Sequence, residues 1–135
     1  MACVYVDTNI LIYGSESSQN IYGKDISSSS ATFFHETINC KHTVVISTWA
    51  LEELSGLRKL DQTKMLITLI KKKTTFISHT QEELALAKTQ APDNFRDHLH
   101  GMLAIKAGAS HLVTRNTDDF VAFADKLTIS KPEHL

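Results

Sequence analysis

The sequence has few of the residues that mark membrane, secreted or zinc-stabilised proteins. Among 135 residues there are two cysteines, two prolines and five glycines. Cys3 and Cys40 form no CxxC pair and no zinc-finger spacing, so we predict two free thiols. The longest apolar runs, such as residues 10–13, are far shorter than the roughly 20 residues of a membrane helix. The N-terminal MACVYVDTN shows no basic leader, and we therefore expect a cytoplasmic protein.

Neither sign of charge dominates the chain. Lys and Arg number 14 and Asp and Glu number 15, which gives a formal net charge of -1. This balance excludes attraction of the whole molecule to nucleic acid or an anionic membrane, so any polyanion must be bound by local charge. Residues 58–73 supply such a charge, because they contain six Lys or Arg and a single acid. The length predicts one domain over residues 1–135.

Short apolar runs alternate with helical patterns along the sequence. The runs predict strands at residues 4–6, 43–47, 74–78, 111–114 and 127–129. Helical spacing predicts helices at residues 10–13, 31–40, 49–60, 62–72, 81–89, 94–107 and 118–124, and residues 15–30 form a Ser-rich loop. Strands of this kind, separated by helices, are typical of an α/β protein with three α/β/α layers and a mainly parallel central sheet.

Acidic and polar side chains follow the predicted strands or begin the helices between them. In an open parallel sheet the functional crevice lies beyond the carboxyl ends of the strands. Each acid alone has a simpler explanation, because an acid in the first turn of a helix offsets the helix dipole or caps it. Together they favour a bound cation, since like charges at one edge repel each other. The set is Asp7, Glu53, Asp97, Thr114, Arg115, Asn116, Asp118 and Asp119.

Helix geometry separates the adjacent acids Glu52 and Glu53. At roughly 100° per residue, Glu53 lies about 65° from the centre of the apolar stripe at positions 50, 54 and 57, and Glu52 lies about 165° from it. Glu53 is therefore expected to flank the core and Glu52 to face water. His100, one turn after Asp97, has two interpretations: a packing histidine or a hydrogen-bond partner of the acids.

Four segments in this order resemble the PIN-domain family, especially its VapC type of toxin ribonuclease. They are Asp7-Thr8-Asn9 after VYV, Glu53 within LEEL, the helix that opens with DHLH at Asp97, and LVTRNTDDF at residues 112–120. The resemblance spans nearly the whole chain. It implies an RNA-cleaving enzyme that uses Mg²⁺ or Mn²⁺. Such ions accept oxygen ligands and keep positions open for water and phosphate.

Family roles carry over to the matching positions of this chain. The resemblance implies that Asp7 and Asp97 are the principal metal ligands and that Glu53 is a third acid, acting directly or through water. Asn116 and Asp119 form the fourth site. Many relatives carry Asp where Asn116 stands, and Asn offers an oxygen ligand without a charge. Asp119 is alternatively the cap of the last short helix.

The residues also suggest substrate contacts and partners. Arg115 is the candidate for binding a substrate phosphate, and Thr114 for orienting water or an acid. The resemblance further implies a homodimer and an antitoxin partner, and the many apolar positions between residues 31 and 72 agree with an interface. We thus expect a metal-dependent endoribonuclease of a toxin–antitoxin pair. The alternative is a PIN-like RNA-binding or protein-binding module with weakened catalysis, which Asn116 and the near-neutral charge favour.

Overall fold

Strands and helices alternate along the described part of the chain, residues 2–16 and 26–135 of a computed structural model. The strands are β1 (Ala2–Val6), β2 (His42–Ser47), β3 (Thr74–Ile77), β4 (His111–Val113) and β5 (Thr128–Ser130). The helices are α1 (Thr8–Ser15), α2 (Ile26–Ile38), α3 (Thr48–Gly56), α4 (Leu60–Ile70), α5 (Gln81–Gln90) and α6 (Phe95–Lys106). Short 3-10 helices cover Lys71–Lys73, Thr117–Phe123 and Pro132–His134.

The five strands form one parallel sheet in the order β3-β2-β1-β4-β5. Alternate residues of β1 point to opposite faces. Val4 and Val6 pack with α1 to α4 on one face, whereas Tyr5 packs with α5 and α6 on the other. The predicted α/β fold with three layers and a parallel sheet is therefore confirmed.

Close packing fixes α6, the helix that carries Asp97. A Cβ atom at Gly101 would lie 2.3 Å from the ring of Phe123. Helix α6 therefore packs against the 3-10 helix Thr117–Phe123 at a distance that leaves no room for a larger side chain at position 101. The helix stops just before Gly108, whose φ of +72° is a conformation that favours glycine. The predicted stop at Gly108 is confirmed, and the N-terminus of α6 is held at the carboxyl edge of the sheet.

Several predicted bounds were wrong. Helix α2 begins at Ile26 rather than at residue 31, because burial of Phe33 and Phe34 overrides the low helix propensity of its serines. Residues 17–25 of the predicted loop lie outside the described residues. Helix α3 ends at Gly56 rather than at residue 60, since the chain turns at Arg58 with a φ of 59°. The predicted last helix is a 3-10 helix.

The two cysteines and the lengths of the helices were also the subject of predictions. Cys3 and Cys40 are both free, as predicted. Among the residues described, no helix has the length and apolar character needed to cross a membrane.

Candidate active site

Asp7 is fixed at the carboxyl end of the central strand. Its Oδ1 accepts a hydrogen bond from the backbone N–H of Thr8 at 2.7 Å, so the carboxylate caps α1. Its Oδ2 accepts from Thr114 Oγ1 at 2.9 Å, across the sheet from the end of β4. Asp7 is buried, with 4% of its surface exposed, so these two hydrogen bonds fix the orientation of its carboxylate.

Asp97 lies in the first turn of α6, where other acids surround it. Burial raises the pKa of this carboxyl to about 6, and the negative charges of Asp7, Asp119 and Glu53 act in the same direction. The nearby His100 lowers it in part. Three of the four other acids that the sequence singled out thus lie close enough for their charges to act on Asp97, whereas Asp118 is exposed and is not among them.

Glu53 and His100 form the closest polar contact of the site. His100 Nε2 lies 2.5 Å from Glu53 Oε1, and Thr8 Oγ1 donates to the same oxygen at 2.9 Å. The ring nitrogen is also 3.6 Å from Asp7 Oδ1. His100, which is 1% exposed, therefore lies between two carboxylates as a hydrogen-bond partner of the acids. Glu53 is partly buried and Glu52 exposed, as the helix geometry predicted.

The charge states of this pair follow from opposing effects. Burial lowers the pKa of His100, but the hydrogen bond to Glu53 and the charges of Asp7, Glu53 and Asp97 raise it above its ordinary value. Burial raises the pKa of Glu53, but the hydrogen bonds from His100 and Thr8 lower it overall. The pair is therefore best described as an imidazolium bound to a carboxylate.

A buried hydrogen-bond chain holds the other side of the imidazole. His100 Nδ1 lies 2.6 Å from the hydroxyl of Tyr5, which lies 2.7 Å from Ser47 Oγ. Ser47 in turn accepts from the backbone N–H of Ala50 and caps α3. With a protonated His100, Nδ1 donates to the Tyr5 hydroxyl, and the Tyr5 hydroxyl donates to Ser47 Oγ. The orientation of the ring is thus linked to the strand that ends at Asp7.

The remaining predicted residues occupy different positions. Thr114 is buried and holds Asp7, so its place favours the predicted role of orienting an acid. The Arg115 guanidinium pairs with the carboxylate of Glu133 and is 17% exposed, a position in which it stabilises the C-terminal segment. Asn116 is exposed and precedes the 3-10 helix, so Asp119 is not the cap of that helix.

The donor set of the site agrees with Mg²⁺ or Mn²⁺. Within residues 2–16 and 26–135, no three His, Cys, Asp or Glu side chains are already grouped as ligands of a metal ion. Mg²⁺ does not require three, because it keeps several waters and uses one or two carboxylates together with substrate phosphates. Asp7 and Asp97 supply such oxygens, and the charges of Asp7, Asp119 and Glu53, which add to the effect of burial on the pKa of Asp97, are ones that a cation would neutralise.

The raised pKa of Asp97 predicts a pH-dependent stability. Because its pKa is about 6 in the folded protein and 3.8 ordinarily, the folded state binds the proton more tightly. This contribution is fully present below pH 4 and is lost as the pH rises through 6. We expect Asp97→Asn to match the wild type at pH 4 and to exceed its free energy of unfolding by about 1 to 2 kcal/mol at pH 8 in EDTA, discounted for partial exposure.

Urea denaturation at both pH values, with Asp61→Asn as an exposed control, checks this expectation. A difference between Asp97→Asn and wild type that is the same at pH 4 and pH 8 would contradict it.

Sequence reasoning missed Tyr5, Ser47 and Arg96. Tyr5 and Ser47 lie in apolar strands, and a polar group in such a strand is the signal that a buried partner exists. Arg96 precedes Asp97, and its charge contributes to the lowered pKa of Glu53. The sequence pattern did not single out Arg96, because residues adjacent on a helix point in different directions.

Comparisons with known proteins show a likeness to solved structures. No protein-family model matches the sequence, and no curated protein matches it. A chain in the crystal structure of VapBC2 from Rickettsia felis bound to a DNA fragment from their promoter is similar, with a TM-score of 0.60 and 19% sequence identity. The match covers 96% of this chain and 98% of that chain. At this identity the likeness concerns the fold, and it supports a PIN-like arrangement of the parallel sheet and its helices.

Proposed function

We propose that this chain is a divalent-metal-dependent endoribonuclease and the toxin of a toxin–antitoxin pair. The observation that carries the proposal is the convergence of Asp7, Glu53 and Asp97 at the carboxyl edge of the sheet, where burial first and the charges of the neighbouring acids second raise the pKa of Asp97. Carboxylates gathered in a site that is buried at Asp7 and partly buried at Glu53 and Asp97 repel one another unless a cation binds between them. Such a cluster of acids is typical of sites that bind Mg²⁺ or Mn²⁺ together with phosphate.

Different side chains have different roles in the proposed phosphodiester hydrolysis. A bound divalent cation would supply an activated water and neutralise charge that develops on the phosphate. Asp7 and Asp97 would hold it, while Thr8 and Thr114 keep Asp7 in one orientation. Glu53, which is hydrogen-bonded to His100, would accept a hydrogen bond from a water at the edge of the site. Asp119 and Asn116 lie at the exposed side, where a second cation would bind with less protein charge.

Incubation of the purified protein with mixed cellular RNA tests the proposal. Cleavage is expected with Mg²⁺ or Mn²⁺, to be abolished by EDTA and restored when the metal is added again. The reason is that the proposed reaction has no nucleophilic side chain and depends on an activated water. Equal cleavage in EDTA would overturn the proposal.

A second candidate is an RNA-binding or protein-binding module with weakened catalysis. Two observations favour it: Glu53 is hydrogen-bonded to His100, and the position of Asn116 carries no charge. Retention of RNA in a gel-shift assay without cleavage in any divalent metal would support this candidate over the enzyme.

The proposal extends to RNA and protein partners. The structure to which the chain is similar contains VapBC2 with promoter DNA, which supports an antitoxin as partner. A homodimer is supported by three apolar side chains of α2 and α4 that remain exposed: Ile38 at 45%, Met65 at 76% and Leu69 at 63%. The six Lys and Arg residues between positions 58 and 73 are the proposed contacts for RNA, and two of them, Lys59 and Lys64, pair with Glu16 and Asp61 in the free protein.

The homodimer leads to a direct expectation. Light scattering at micromolar concentration should give twice the chain mass, because burial of exposed apolar side chains drives association. Met65→Lys should shift the protein to monomer, with Lys64→Met as a control that removes charge from the same helix. A monomeric wild type would contradict the proposal.

A further inference from the structure

A groove runs along one face of α3, next to the acidic site. Its volume is about 340 Å³, at the small end of the range typical of ligand sites. It is lined by Trp49, Glu52, Glu53, Gly56, Leu57 and Arg96. Positions 49, 52, 53 and 56 recur every three or four residues, which places them on the same side of the helix. The lining is mainly apolar, and Leu57 is 58% exposed although it is a large hydrophobic residue.

The groove adjoins a second cavity that contains the acid of α6. That cavity measures about 320 Å³ and is lined by Asp97 together with Glu53 and Arg96. Glu53 and Arg96 thus form a wall shared by the two cavities. The guanidinium of Arg96 lies 5.7 Å from the centroid of the Phe95 ring, and its charge acts on Glu53. An anionic group at the acidic site would therefore meet a cation at the entrance to the groove.

We propose that this groove binds one unpaired nucleobase of the RNA, next to the phosphate held at the acidic site. The inference rests on the proposed function and names a subsite for its substrate. A nucleobase has an apolar face and a polar edge, which matches apolar walls at Trp49 and Leu57 and a carboxylate rim at Glu52. The phosphate that joins this nucleotide to the next lies against Arg96, where its charge is balanced. The groove has apolar walls and a cation at Arg96, and this combination favours a nucleotide over a purely apolar ligand.

Glu52 gives the groove a base preference. Its side chain is 60% exposed at the rim, and its Oε1 lies 3.5 Å from His79 Nε2. An ionised carboxylate only accepts hydrogen bonds, so it pairs with bases that present amino hydrogens. Guanine presents two adjacent donors on its pairing edge, whereas uracil presents one donor between two carbonyl groups. The groove therefore prefers guanine and disfavours uracil.

Trp49 allows the proposal to be tested without catalysis. It is the single tryptophan of the chain and lines the groove, so a change of its fluorescence on addition of a nucleotide reports on this part of the molecule. In EDTA, GMP is expected to change the fluorescence with a saturable curve, UMP to bind about tenfold more weakly, and ribose 5-phosphate to have no effect. Glu52→Gln should reduce the difference between GMP and UMP, because an amide also donates to carbonyl groups.

Two further variants locate the base and the phosphate. A Cβ at Gly56 would meet no atom within 4 Å, so Gly56→Phe fills the groove without disturbing the core, and Gly56→Ala is its size control. We expect Gly56→Phe to weaken GMP binding at least tenfold and Gly56→Ala to leave it unchanged. Arg96→Gln should weaken GMP about tenfold and leave guanosine unaffected.

The outcomes separate this inference from the proposed function. A saturable response to GMP without RNA cleavage would support the base subsite and overturn the proposed nuclease activity. Cleavage with no response of Trp49 to any nucleotide would overturn the subsite alone. An equal response to ribose 5-phosphate, or a change that depends only on protein concentration, would show that the groove binds phosphate or a second copy of the chain and would also overturn it.

Discussion

Asp7→Asn is expected to reduce RNA cleavage by roughly a thousandfold or more while the protein remains folded. Asn keeps a side-chain oxygen that caps α1 as Asp7 does. The charge is lost, however, and with it one of the two carboxylates best placed to hold a cation. Removing that charge also relieves repulsion on Asp97, so the free energy of unfolding in EDTA should stay the same or rise.

Calorimetric titration with Mn²⁺ provides a readout independent of cleavage. The wild type should show one well-occupied site, because Asn116 offers no charge for a second cation. Asp7→Asn should lose that site, and Asp61→Asn, an exposed acid of α4, should keep both metal binding and cleavage. Undiminished cleavage or undiminished Mn²⁺ binding in Asp7→Asn would remove Asp7 from the proposed metal site.

His100→Ala is expected to lower the free energy of unfolding by about 3 to 5 kcal/mol, the cost of breaking a buried ion pair from one side. The substitution removes the closest partner of the partly buried Glu53 carboxylate and one partner of the fully buried Tyr5 hydroxyl. It also leaves a cavity between α6 and β1. Urea denaturation in EDTA measures the loss directly.

A double-mutant cycle distinguishes the ion pair from simple packing. Glu53→Gln removes the charge that His100→Ala would leave unpaired, so the double variant should be destabilised by less than the sum of the two single variants. Glu82→Gln, an exposed acid in the first turn of α5, is the control and should add its small effect independently. Additive losses for Glu53→Gln and His100→Ala would show that His100 contributes packing only.

The parts of this site that could be predicted are those set by the direction of the strands. Asp7 and Thr114 follow parallel strands directly, so the sequence alone predicts that they lie at the same edge, and they are joined at 2.9 Å. The position of Glu53 relative to Glu52 followed from the helical period. These inferences succeed because the carboxyl ends of parallel strands and the turns of a helix have fixed geometries.

The parts that could not be predicted depend on side chains that meet across layers. The sequence left His100 with two interpretations, and only packing of α6 on the sheet shows that its ring reaches Tyr5 on one side and Glu53 on the other. Arg115 was expected to bind a phosphate, but its partner Glu133 lies 18 positions away in a segment with no sequence signal. Pairings of this kind are set by tertiary structure rather than by local pattern.

The central place of β1 in the sheet determines when during synthesis the site can form. Strand β1 is synthesised before both of its neighbours and has to wait for them, since Ala2 pairs with His42 and Val4 pairs with His111. The hydrogen bond between Asp7 and Thr114 closes a loop of 107 positions, and such long-range closure comes late in folding. A nascent chain that has not yet released residue 114 lacks the assembled acids. The proposed nuclease is thus inert until the segment that carries Thr114 has been synthesised and has paired with β1.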